Sequence, residues 1–428
     1  MENFKATQYK LVNAADGRIF EDSGWTLADP QSPTPSLVRA IYEKKKLKVK
    51  PDNWGFYRFA DWLPIQRVLK GSATTITYKS EKLAQRLGLD NLYIAFSGYW
   101  PEKGAKMKSC SFKETEAYSV CGRLSQENDK ILVVASAGNT ARAFASICSE
   151  NNIPVLIVIP YDNLESLWFD KPLNECVKII CSPTGSDYFD AISLAQIAVK
   201  NELFLDEGGA KNIARRDGMG TTLLSAATHI GQIPDVYVQA IGSGTGGIAA
   251  WEAACRLAED GSWGKNNMKL LLVQNIPFTP MYDAWKADSR ALLPSDDEQS
   301  RILATQINAK VLSNRRPPYP LAGGVYDVLK ASNGLMEVAD NNDIVTYSNM
   351  FLECEGIDIH PAAAIALAGL DKAISKGLIS REKNIVLNIT GGGEQRFHSE
   401  NKIFRPEPSL VASATDEGIL DKIIALFQ

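Results

Sequence analysis

The sequence is poor in the residues that hold metals and in paired cysteines. Its three histidines, His229, His360 and His398, stand far apart without a neighbour at metal-ligand spacing, so each is expected to be structural and no metal site is expected. Seven cysteines, an odd number scattered without a C-x-x-C pair, exclude a readable disulfide framework or zinc knuckle and fit a reducing cytoplasm. No apolar run approaches the ~20 residues of a membrane span. The opening MENFKATQYK lacks the apolar core of a secretory signal, so a cytoplasmic location without membrane contact is expected. No basic arm is present either. The formal net charge is −4 with interspersed signs, which argues against nucleic acid as a partner. The one basic run, Lys44-Lys45-Lys46-Leu47-Lys48, is expected to be a solvated helix end.

What is there is an ordinary globular composition, 45% hydrophobic and 22% charged, in 428 residues, enough for two or more domains. From about residue 130 apolar β-branched runs alternate with helical patterns. ILVVASAGN, VLIVIP, VKIICSP, VYVQAIGSGTGG, KLLLVQN and NIVLNITGGG read as strands. ARAFASICSE, YFDAISLAQIAVKN, TTLLSAATHIG, GGIAAWEAACRLAE and PAAAIALAGLDKAISKG read as helices. Fully apolar strands interleaved with helices indicate an α/β chain with parallel sheets covered on both faces. Ligands of such sheets collect at the C-terminal strand ends. Residues 280–335 give no clean pattern.

Three strand ends are rich in small or polar residues. In GSGTGG (Gly242, Ser243, Gly244, Thr245, Gly246, Gly247) the backbone N–H groups can converge on an anion at a helix N-terminus. No Gly-Lys-Ser/Thr follows and no acidic residue closes a second strand, so neither a P-loop nor a dinucleotide fingerprint is met. A tight strand–helix turn remains the alternative. In ASAGNTA, Asn139 and Thr140 either cap a helix or face a ligand. In ITGGG, Thr390 offers a hydroxyl that can donate to a ring nitrogen without carrying charge, or closes a glycine turn. Upstream, KSCSFKETEA holds Lys113 behind Ser-Phe. A phosphate cradle, an Asn, a neutral hydroxyl and this lysine are the parts of a pyridoxal 5'-phosphate site. Lys113 would hold the cofactor covalently, the glycine loop its phosphate, Asn139 its ring oxygen and Thr390 its pyridine nitrogen.

In these motifs the sequence resembles the threonine synthase family of fold-type II pyridoxal-phosphate enzymes. Ser111-Phe112-Lys113 matches the family's Ser-Phe-Lys, and Ser136 to Thr140 its substrate and cofactor loop. Asn212 to Gly218 (NIARRDG) resembles its Asn-Pro-x-Arg-x-x-Gly, and EGIDIHPAAAIALAGL its late alanine-rich helix, with Ala363 where serine is usual. YKLVNAADGRIF resembles its zinc-ribbon start, but Asn13 and Asp16 stand where cysteines would be. The resemblance implies a tryptophan synthase β-like fold, two parallel-sheet α/β domains with the cofactor in the cleft between them. Residues 1–50 would be a degenerate metal-free ribbon, 51–117 and 209–428 the large cofactor-binding domain, and 118–208 the small domain. Ser109, Ser111, Ser136, Thr140 and Arg215 would contact substrate. A homo-oligomer is expected.

The substrate-facing residues depart from the family. Ser109-Cys110 precede and Glu114-Thr115 follow the lysine motif, and Glu394-Gln395-Arg396 follow the final glycines. This implies a related reaction on a different substrate, and the resemblance, which extends to a branch of the family with such a reaction, implies β-replacement of the phosphate of O-phospho-L-serine by sulfite, giving L-cysteate on a route to coenzyme M. Threonine formation from O-phospho-L-homoserine, or cofactor binding without catalysis, are the alternatives. Several anions in one pocket need cations, for which Lys106, Lys108, Arg142, Lys171, Arg215 and Arg396 are candidates.

Overall fold

The computed structural model describes residues 4–428. Its larger sheet has six strands in the spatial order Leu335–Ala339, Lys269–Asn275, Val236–Ala240, Asn384–Ile389, Asn91–Phe96 and Ile76–Lys79. The first five run parallel, with Val238 opposite both Leu271 and Leu387, and the last runs antiparallel. The smaller sheet is wholly parallel: Phe204–Asp206, Ile131–Ala135, Val155–Pro160, Val177–Ser182 and Leu410–Val411. All six residues of Val155–Pro160 are buried, which is why that strand reads as an uninterrupted apolar run.

The strand Leu410–Val411 belongs to the smaller sheet, and Ile419 and Ile423 pack into the core beneath it. The chain therefore returns to the small unit after 400, where the sequence was expected to stay in the large one to 428. Apolar residues at the chain's end found their burial on that side. Residues 9–42 form a three-stranded antiparallel sheet of Tyr9–Asn13, Ile19–Phe20 and Val38–Tyr42. Its turns are held by polar bonds. The Asn13 amide donates to Asp29 at 2.9 Å, Asn13 Oδ1 accepts the Ala15 N–H at 2.8 Å, and Arg18 Nε donates to Asp29 at 3.0 Å. The basic run 44–48 is not a helix end. It leaves Val38–Tyr42 as an irregular segment, and Lys44 pairs with Asp61 at 2.6 Å.

The unread stretch 280–335 resolves into three short helices, Pro280–Lys286, Asp297–Gln306 and Val325–Ala331, around an irregular segment 313–324. Asp296 caps the second by accepting the Gln299 N–H at 2.8 Å. Among the described residues no helix is long and apolar enough to cross a membrane.

One helix joins the two halves. Lys113–Arg123 is almost entirely buried and packs on Asn139–Asn151, which covers the smaller sheet, and on Ile213–Ile230, which covers the larger. Gly218 permits the second contact: a Cβ there would collide with the Thr115 carbonyl and lie 2.7 Å from Ser119 Cβ. The glycine of the NIARRDG motif is thus a site of close helix approach. Lys113, the first residue of the joining helix, sits where both sheets face each other.

Candidate active site

Lys113 is fixed from its backbone outward. Cys110 takes a left-handed φ of 51°, unusual for a residue with a side chain, and turns the chain into Ser-Phe-Lys. The turn is stitched to the ITGGG loop: Ser111 and Gly391 form an antiparallel bridge, the Phe112 N–H donates to the Thr390 carbonyl at 3.0 Å, and the Gly392 N–H to the Cys110 carbonyl at 3.1 Å. Ile359 in turn bridges Gly392, and the His360 N–H donates to the Gly391 carbonyl at 2.9 Å. A Cβ on Gly391 would run into the His360 ring and lie 2.8 Å from the Cys110 carbonyl, so only glycine lets three segments meet there.

The stitching brings together residues from five parts of the chain. A cavity of about 70 Å³ is lined by Lys113, Asn139, Gly242 to Gly246, His360 and Thr390. It opens on a second cavity of about 560 Å³, with Lys113, Asn139, Ser243 and Thr245 on both walls. The glycine loop precedes the 16-residue helix Thr245–Asp260, whose first residues, Thr245 and Gly246, line the inner cavity, and a helix N-terminus there favours an anion. The Thr390 carbonyl is engaged by Phe112, which leaves its hydroxyl to the cavity. A helix N-terminus for a phosphate, a neutral hydroxyl for a ring nitrogen, an amide and a primary amine on one small cavity fit pyridoxal phosphate.

The charges around the lysine are paired. Lys113 Nζ lies 3.1 Å from Glu116 Oε2, one helical turn along, and 5.0 Å from the Phe112 ring centroid. Glu116 is fully buried; its other oxygen accepts the Thr140 hydroxyl at 2.8 Å and lies 3.5 Å from Arg215. Burial pushes the Glu116 carboxyl up, but Arg215, Lys113 and Thr140 outweigh it and hold the carboxyl below the usual range. Burial, joined by the nearby Arg215 charge, lowers the Lys113 amine despite Glu116. That favours the neutral, nucleophilic form. Arg215 is clasped by both oxygens of Glu207, with Nε at 2.7 Å. It lines the outer cavity as a cation already matched by Glu207 and Glu116, not as a free one.

Other expected site residues are placed differently. Ser109 and Ser111 lie outside both cavities and support the turn. Ser109 donates its N–H to Glu114 at 2.5 Å and accepts Arg142 at 2.8 Å, while the Ser111 hydroxyl accepts the Lys113 N–H at 3.3 Å. Ser136 lines the outer cavity, but its oxygen is taken by the N–H groups of Gly138 and Ala141, each at 3.0 Å. Gly247 packs into the sheet, where a Cβ would lie 2.8 Å from a Leu272 methyl. Asn139 is the first residue of its helix, and Arg142 orients it by donating to Oδ1 at 3.1 Å. Of the candidate cations, Lys108 pairs with Asp170 at 3.0 Å, Arg396 pairs with Glu400 at 2.8 Å, and Arg142 stacks 4.0 Å over Trp168. Lys106 and Lys171 line neither cavity.

Sequence reasoning missed Glu116 and His360. The i, i+3 spacing from Lys113 could have exposed the first. The second needed the 359–392 bridge. His360 Nε2 lies 3.0 Å from Glu394 Oε2, and although burial opposes it, His360 and Arg142 hold the Glu394 carboxyl down at about 2.

The chain belongs to the pyridoxal-phosphate dependent enzyme family, whose model matches residues 71–391. Its fold is that of solved members: maize serine racemase (TM-score 0.57, 18% identity, 83% of this chain and 93% of that one) and Solanum lycopersicum threonine deaminase isoform 2 (TM-score 0.51, 20% identity, 82% of each). Within the family it groups with the cysteate synthases of methanogens. That of Methanosarcina acetivorans is 46% identical over 384 residues, 89% of this chain and 92% of the relative. That of Methanocella arvoryzae is 44% identical over 425 residues, 98% and 100% of the two chains. This is a pyridoxal-phosphate enzyme that acts on small molecules.

Proposed function

We propose that this enzyme exchanges the phosphate of O-phospho-L-serine for sulfite, releasing L-cysteate and phosphate on a route to coenzyme M. The observation that carries the reading is 42–46% identity to cysteate synthases over most of the chain, joined to a single cleft that gathers Lys113, Asn139, the glycine loop and Thr390.

We assign Lys113 as the residue that holds the cofactor, Gly242 to Gly246 as its phosphate cradle, Asn139 as the partner of its ring oxygen and Thr390 as that of its ring nitrogen. Pyridoxal phosphate, when bound, supplies the electron sink that lets the Cα–H bond break. The Lys113 amine, when not bonded to the cofactor, would take the Cα proton and later return it. Glu116 keeps that amine in place and stabilises it when charged. Thr390 brings no anion to the ring nitrogen, which suits a reaction in which a good leaving group departs as the proton is taken. We assign Thr140 and the backbone of the loop Ser136–Gly138, which line the outer cavity together with Lys113, to the substrate carboxylate end. Overall the Cβ–O bond to phosphate breaks, a C–S bond to sulfite forms, and the Cα proton is restored. We place the enzyme in the cytoplasm as a homo-oligomer, which native mass in solution will read.

The test supplies the holoenzyme with O-phospho-L-serine and sulfite, or with O-phospho-L-homoserine alone, and identifies the amino acids formed. Cysteate from the first mixture is expected. Threonine from the second, with no cysteate from the first, overturns the reading.

A further inference from the structure

A reaction that replaces phosphate with sulfite brings two small oxyanions in turn to one place, beside a substrate carboxylate. Four cations line the outer cavity: Lys113, Lys211, Arg215 and Arg316. Two of them are matched. Lys113 faces Glu116, and Arg215 is clasped by Glu207 with Glu116 at 3.5 Å. A guanidinium neutralised by two buried carboxylates has little attraction left for an incoming dianion.

Lys211 and Arg316 differ. Among the described residues neither forms an ion pair, whereas the neighbouring Arg315 pairs with Asp187 at 2.8 Å and Asp297 at 2.7 Å. Arg316 is nonetheless held. Its guanidinium lies over the Phe189 ring, 4.6 Å from the centroid, and its backbone N–H donates to Asn314 Oδ1 at 2.9 Å, which fixes the turn that carries it. Pro317 and Pro318 follow and restrict the backbone. Lys211 closes the short turn Gly209–Lys211 just before the helix Ile213–Ile230. The two cations thus reach the same cavity from segments a hundred residues apart. Two carboxylates share that cavity: Glu207, which clasps Arg215, and Asp206, which accepts the Gly208 N–H at 3.0 Å and Gln196 at 3.4 Å.

Resting on the function proposed above, we infer that Arg316, with Lys211, forms the oxyanion subsite that takes the substrate phosphate and, once phosphate has left, holds sulfite for attack on Cβ. Arg316 offers a planar fork of N–H donors to the oxygens of either anion, and Lys211 adds a point charge. Neither residue makes or breaks a bond. They bind and orient, so phosphate product competes directly with sulfite.

The test compares wild-type holoenzyme with Arg316→Ala, Arg316→Lys, Lys211→Met and the control Arg301→Ala, which removes a cation from the adjoining cavity that Arg316 also borders but that Lys113 and Lys211 do not. Two quantities are read: binding of inorganic phosphate to the holoenzyme by calorimetry, and KM for phosphoserine and for sulfite. Arg316→Ala should weaken phosphate binding and raise both KM values about tenfold or more, with kcat changed by less than about threefold. Arg316→Lys should recover part of the loss, Lys211→Met should show a smaller one, and Arg301→Ala should match wild type. Unchanged phosphate binding in Arg316→Ala and Lys211→Met overturns the inference. So does an equal loss in Arg301→Ala, which would signify a general field rather than a subsite. If wild type makes no cysteate yet binds phosphate through Arg316, the subsite stands and the proposed reaction falls.

Discussion

At the residue scale, the buried Glu116–Lys113 pair is the feature that most directly tunes the chemistry. An anion 3.1 Å from the amine stabilises its protonated form, so Glu116→Gln should lower the pH at which the bound cofactor's absorbance titrates. Titrating the visible spectrum of the variant holoenzyme checks this, and an unshifted midpoint would separate Glu116 from the lysine. A second carboxylate, Glu114, acts on stability. Burial raises it from 4.5 to about 7, although Ser109 donates to it and opposes the shift. Its folded state therefore holds a proton that the unfolded chain has lost above about 4.5, and its contribution, present at lower pH, is lost as pH rises through about 7. Glu114→Gln should flatten the fall in Tm between about pH 5 and 8, a difference of roughly 3 kcal/mol at the alkaline end. Parallel Tm–pH profiles for the two proteins would contradict it. These residues also show what a sequence conceals. Lys113 was legible because Ser-Phe-Lys is a local motif, while His360 and Arg316 reach the cleft through chain segments with no local sign of it.

At the element scale, the joining helix Lys113–Arg123 carries the lysine, and its position depends on Gly218 in the helix beside it. Gly218→Ala should push the two helices apart at a cost of about 1–3 kcal/mol and lower cofactor occupancy together with stability. Thermal unfolding and the cofactor-to-protein absorbance ratio read both, and full occupancy at unchanged Tm would refute the close-approach account. Strands were the most legible elements because burial on both faces demands apolar β-branched runs, as in Val155–Pro160. The stretch 280–335 was illegible for the opposite reason. Its helices are seven to ten residues long, too short to show a helical period, and its prolines break the rest. Gly247 was misplaced because a glycine serving helix–sheet packing looks, in sequence, like one serving a phosphate.

At the scale of the whole molecule, two sheets that could each stand as an ordinary α/β layer are set around one cleft, and the chain crosses between them more than once. The crossing helix supplies Lys113, the smaller unit supplies Asn139, and the larger supplies the glycine loop and Thr390. Neither half holds a complete site. The central claim is that this cleft exchanges phosphate for sulfite at a single carbon. The measurement that addresses it most directly follows the holoenzyme with O-phospho-L-serine and isotopically labelled sulfite, quantifying free phosphate and the labelled amino acid by mass spectrometry in the same sample. The account predicts labelled cysteate and phosphate in equal amounts, with both lost in Lys113→Ala. Phosphate released without labelled sulfur in the amino-acid product would contradict it.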